Sequence, residues 1–159
     1  MKKLTNKQGF TLIEVVLVLA IGGLIFLLAF IAFQQVSANR RDTQRRTDAG
    51  RIIGELQNYA GDNNGGVPAA SAALTDSCTD PAATTGTFGA FMWVYLCSKT
   101  ATGFDSPQGT YTTIVSVAGG GTVTKDQIMF TPNSNCEGGT TGNRVQIGLE
   151  KGVACRDDQ

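Results

Sequence analysis

The chain has 159 residues, 13 basic and 13 acidic side chains, no histidine and four cysteines. That length leaves room for one anchor and one compact domain, not two domains. From Leu56 onward five basic residues face nine acidic ones, a poor surface for generic nucleic-acid binding, which rests on phosphate neutralisation. Without histidine there is no Ser-His-Asp or Cys-His arrangement, and the scattered aspartates form no recognisable catalytic pair.

In chain order, the first element is a basic leader followed by a membrane-length apolar run. Lys2, Lys3 and Lys7 precede Gly9-Phe10-Thr11-Leu12-Ile13-Glu14, and everything from Val15 to Phe33 is apolar or glycine. This exceeds the roughly 18 residues at which a stretch reads as a transmembrane helix. A secretory signal peptide would have a shorter apolar region, about 7–15 residues, without a carboxylate at its front edge. A plain anchor explains the length but gives no reason for Glu14 or for the Gly9-Phe10 junction. An ionisable residue at the start of such a run asks for a partner.

Gly9-Phe10-Thr11-Leu12-Ile13-Glu14 resembles the processing motif of type IV pilins and of the related secretion and DNA-uptake pseudopilins. The resemblance implies a leader, residues 1–9, that stays cytoplasmic and is cut by a prepilin peptidase between Gly9 and Phe10. It implies methylation of the new Phe10 amine and a role for Phe10 and Glu14 in assembly. The implied product is a structural subunit of a pilus-like filament, a helical homopolymer of this chain built by the pilus assembly machinery. The alternative is a minor pilin or pseudopilin acting as a tethered module that binds DNA or a surface. Neither reading needs an enzyme activity or a cofactor. Loss of the leader leaves 10 basic against 13 acidic residues.

Topology does not follow from charge alone, because Arg40, Arg41, Arg45 and Arg46 follow the span as closely as the lysines precede it. The resemblance decides it: the peptidase is cytoplasmic, so the head is outside the cytoplasmic membrane and later in the extracellular filament.

From Phe10 to about Gly61 no proline interrupts a run rich in helix formers. This predicts one helix of roughly 75 Å, with residues 10–33 as membrane or filament-core segment and 34–61 as its amphipathic continuation. Ala49, Ile52, Ile53, Leu56, Tyr59 and Ala60 form an apolar stripe at helical spacing to pack on the head. Asp62-Asn63-Asn64-Gly65-Gly66, before Pro68, reads as a stop signal; it is too short for an EF-hand and lacks the later glutamate. The arginine run 40–48 could be a nucleic-acid or anionic-lipid patch. The favoured reading is a solvated helix face that meets neighbouring subunits, with Asp42 spaced to pair Arg46 and Asp48 to pair Arg51. Gly22-Gly23 is the weakest point of the span, suited to close helix packing.

Residues 62–90 read as a connecting loop, and 91–159 as an antiparallel β head, giving an α+β fold. Strand-like runs lie at Phe91–Leu96, Tyr111–Val117, Val123–Thr131, Arg144–Leu149 and Val153–Cys155, with turns at Ala118–Gly121 and Lys151-Gly152. Cys78, Cys97, Cys136 and Cys155 lie in the exported part, where an even count reads as disulfides with three connectivities. Local pairing, Cys78 with Cys97 and Cys136 with Cys155, is favoured because each brackets one loop region. Closing Cys136–Cys155 also resembles the disulfide-bounded C-terminal region of many pilins. A zinc site lacks both a C-x-x-C pair and histidine, so no metal is expected.

Overall fold

The computed structural model describes residues 9–69, 78, 86–99, 104–116 and 121–159. Helix α1, Leu12–Asp62, is followed by a small sheet, so the fold is α+β. Two compact units divide the chain, Met1–Asn39 and Arg40–Gln159.

In the first unit α1 is apolar on every side from Val15 to Phe33. Its most apolar 18-residue window has a mean hydropathy of 3.1 and is 0% buried. A helix that is hydrophobic all round and uncovered by its own chain needs lipid or other protein around it.

In the second unit one face of α1 is buried: Arg45, Asp48, Ala49, Ile52, Ile53 and Leu56, with Tyr59 partly buried against the same cluster. The helix stops where its last carbonyls find other donors. Asn63 N donates to Tyr59 O at 3.0 Å and Gly65 N to Ala60 O at 2.7 Å. Asn64 and Gly65 adopt φ of 54° and 80°, the left-handed conformation that ends helices and that Gly and Asn accept most readily.

Residues 91–96 are not a strand. Helix α2, Phe88–Phe91, continues into a π-helical segment, Met92–Cys97, in which Ser98 N reaches Trp93 O at 2.9 Å. The Thr87 side chain accepts from Ala90 N and starts the helix. The β-propensity of Trp93-Val94-Tyr95 loses to burial at helical spacing. Phe88, Phe91, Met92 and Leu96 all enter the core, whereas Val94 is exposed.

Strands β1 (Asp105–Ser106) and β2 (Gly109–Thr110) form a small antiparallel pair. The main sheet has the order β3 (Thr112–Ser116), β4 (Gln127–Pro132), β5 (Asn143–Gly148), β6 (Val153–Asp157). Strands β4, β5 and β6 are antiparallel, with Ile128 opposite Ile147 and Phe130 opposite Val145. Strand β3 instead runs parallel to β4, a departure from a wholly antiparallel head. The turn expected at 118–121 lies, apart from Gly121, outside the described residues. Strand β4 begins at Gln127, later than the apolar pattern suggests, because Asp126, at a φ of 59°, interrupts the extended backbone and leaves Lys125 as an isolated bridge to Gly148. There the backbones approach so closely that a Cβ on Gly148 would lie 1.8 Å from Thr124 O.

Disulfides join Cys78 to Cys97 and Cys136 to Cys155. Around Phe88 the core is aromatic: its ring stacks on Phe130 at 4.6 Å and on Phe91 at 5.5 Å.

Candidate functional site

The N-terminal segment places Gly9 and Phe10 ahead of the helix, with Phe10 89% exposed. Thr11 is the residue before the first helical turn and Glu14 is the third residue of that turn. Thr11 N donates to Glu14 Oε2 at 2.9 Å, and Thr11 Oγ1 donates to the same oxygen at 2.7 Å. Glu14 N in turn donates to Thr11 Oγ1 at 3.4 Å. This is a capping box: each residue satisfies an N–H of the other that the helix start leaves without a partner. Phe10 and Val15, the positions that flank such a box as a hydrophobic staple, line one mainly apolar concavity with Glu14, Val18 and Leu19.

Glu14 therefore has an intramolecular task as well as a charge near the helix's positive end. The spacing Thr11-x-x-Glu14 carried this signal in the sequence, where the carboxylate alone drew attention. Gly9, Phe10 and Glu14 are brought together at one exposed helix start. The four cysteines are remote from it in sequence and sit in the other unit.

A second polar constellation was missed. Arg45 does not face solvent; its side chain is 0% exposed. Its Nη2 lies 2.7 Å from Asp126 Oδ1, and its Nη1 lies 2.8 Å from Asp42 Oδ1 and 3.5 Å from Glu150 Oε1. Arg41 and Lys125 reach Glu150 at 3.0 and 3.4 Å. Asp42 also accepts from Glu150 N at 3.0 Å, and Ser106 donates to Asp126. Asp42 thus pairs with Arg45 rather than Arg46, because Arg45 lies on the buried side of α1. Asp48 does reach Arg51, at 3.7 Å. The signal was available, since Arg45 extends the stripe of Ala49, Ile52 and Leu56 by one turn.

Burial opposes the charge of Arg45, but hydrogen bonds to Asp126 and Asp42 outweigh it and raise its pKa. Burial likewise pushes Glu150 up, yet Arg41 and Lys125 bring it below the ordinary glutamate range. Asp48 goes the other way: burial raises its pKa despite a 2.7 Å hydrogen bond from Tyr111 and the nearby Arg51. Burial and Asp48 push the Tyr111 phenol well above its usual value.

This cluster is internally paired and is a structural clamp between α1 and the sheet of its own unit. Among the described residues no group of three His, Cys, Asp or Glu side chains is placed to hold a metal.

Residues 4–30 match the family defined as the prokaryotic N-terminal methylation motif. The chain carries the class III signal of type IV pilins. The match includes Gly9, the capping box and the apolar helix as far as Phe30, and it indicates type IV pilin-like prepilin processing. Proteins with this motif are structural rather than enzymatic, and the long apolar helix behind it fits membrane anchoring before assembly. No curated protein and no solved structure matches the chain.

Proposed function

We propose that this protein is a structural subunit of a type IV pilus-like extracellular filament. It would be cut between Gly9 and Phe10, methylated on Phe10, and assembled as a helical homopolymer through its N-terminal helix. The supporting observation is the methylation motif at residues 4–30 on a helix whose apolar window is 0% buried by its own chain. An uncovered apolar helix of this kind suits lipid before assembly and neighbouring copies after it, since both bury the same surface. The head would stand outside the cytoplasmic membrane, where the oxidising environment suits two disulfides.

Intact mass of the surface form tests the reading. A chain beginning at Phe10 with one extra methyl group is expected, as the main component of purified filaments. A surface form that retains Met1–Gly9, or that begins beyond the apolar run, would refute it. Filaments in which this chain is a rare component would favour a minor pilin or pseudopilin instead.

A further inference from the structure

Side chains of β4 and β5 alternate between the two faces of the sheet. Ile128, Phe130, Val145 and Ile147 enter the core cluster, so Thr131, Arg144 and Gln146 stand on the opposite face. Thr131 lies directly across from Arg144, and Gln146 is two residues further along β5. Three buried polar atoms on this patch have no hydrogen-bond partner among the described residues: Thr131 Oγ1, Arg144 Nε and Gln146 Oε1. Thr131 itself is 0% exposed. Buried polar atoms almost always find a partner, because an unpaired one carries its full desolvation penalty.

The loop between β4 and β5 is fastened at the same patch. Cys136 is bonded to Cys155, which stands across from Gln146 in the β5–β6 register. Cys136 N donates to Asp157 Oδ2 at 2.8 Å, and Asp157 stands across from Arg144. Arg144 Nη1 donates to Asn135 O at 3.4 Å.

We propose that Thr131, Arg144 and Gln146 hold one internal water molecule beside the disulfide-bounded loop. The three atoms match water's own valence. Arg144 Nε–H can only donate, Gln146 Oε1 can only accept, and the Thr131 hydroxyl does either. Internal waters typically make about three such bonds to groups that the protein leaves unpaired. A cation is repelled by the Arg144 guanidinium and an anion by the Gln146 oxygen, so a neutral molecule with both donors and acceptors fits best. The loop is then held on the sheet by solvent as well as by the Cys136–Cys155 bond.

Crystals of the full chain in detergent, grown with and without bromide, test the site together with the melting temperatures of two variants. A solvent peak within hydrogen-bond distance of at least two of the three atoms is expected, with no anomalous bromide signal. Thr131→Val nearly preserves volume and deletes one partner of the water, so its Tm should fall, whereas Thr131→Ser keeps the hydroxyl and should keep the peak. A higher Tm for Thr131→Val would mean the hydroxyl had no partner to lose. That result, an anomalous bromide peak, or a dry site would each overturn the proposal.

Discussion

Arg45 Nη2 lies 2.7 Å from Asp126 Oδ1, and Asp126 is held at a φ of 59°, a left-handed conformation uncommon for residues other than glycine. The arginine comes from α1 and the aspartate from the turn leading into β4, so one ion pair fixes helix to sheet. Asp42 and Glu150 complete the set around the same guanidinium. A planar fork with five donors can serve several carboxylates at once, which an ammonium cannot.

Arg45→Ala should therefore destabilise the protein by about 3–5 kcal/mol, the usual result of breaking a buried pair by removing one partner. Arg45→Lys should lose less but not recover wild-type stability. Denaturant unfolding of the detergent-solubilised chain measures both. A loss below about 1 kcal/mol for Arg45→Ala, typical of an exposed pair, would show the cluster to be dispensable.

The acid side of the stability profile should depend on Glu150. Its pKa is lowered in the folded state, so it binds its proton less readily there than in the unfolded chain. Its contribution is complete above the ordinary glutamate value and is lost as pH falls through the lowered folded value. Asp48, raised by burial, has the opposite sign: its contribution is present at low pH and disappears as pH rises through the folded value. Glu150→Gln should flatten the acid-side fall in Tm. An unchanged slope would remove Glu150 from the account.

Gly148 should tolerate no side chain. Its missing Cβ makes room for Thr124 O, a backbone atom that cannot swing aside as a flexible side-chain end could. Gly148→Ala should cost about 3 kcal/mol, the upper end of ordinary overpacking. A mutant melting within a degree or two of wild type would show that the bridge between Lys125 and Gly148 relaxes easily.

Opening the Cys136–Cys155 bond should cost about 2–5 kcal/mol, as for native disulfides in small exported domains. Paired serine substitutions, compared by thermal unfolding, give the value. Non-reduced peptide mapping of the surface form should find Cys136 bonded to Cys155 and Cys78 to Cys97. Free thiols at these positions would contradict the connectivity.

Much of the architecture could be read from residue patterns because those patterns are local. The apolar run to Phe33 and the Ala49-Ile52-Ile53-Leu56 stripe announce helix by composition and period, and Asn64-Gly65 announces its end by backbone preference. What escaped depends on partners distant in sequence. Arg45 looks solvated until Asp126 and Glu150, 81 and 105 residues away, are folded against it. Phe91–Leu96 looks like a strand because aromatic and β-branched residues favour both strands and cores. Only the placement of Phe88, Phe91, Met92 and Leu96 on one side decides for helix. The parallel placement of β3 leaves no local mark at all. At the N-terminus, the prominence of the Glu14 charge hid its capping partner, Thr11.

Glu14 caps its own helix, and the proposed filament gives it a second task that a single deletion would confound with the first. As a capping residue it satisfies Thr11 N at 2.9 Å, and truncation would fray the first turn at a cost of about 0.5–1 kcal/mol. As a carboxylate among apolar side chains it also carries a charge that must be compensated once water is excluded. In the filament we propose, the partner would be the Phe10 amine of an adjoining subunit. A glutamine at this position can keep the capping box but has no charge, so the two roles separate. Glu14→Ala should be cleaved, inserted and folded in the head, yet fail to enter filaments efficiently. Glu14→Gln should retain the helix start and fail nearly as badly, since the contact with an amine needs the charge. Filament yield against membrane-resident protein, measured for both variants, decides. Normal filaments from Glu14→Gln with few from Glu14→Ala would assign Glu14 to capping alone, and normal filaments from both would leave it no part in assembly.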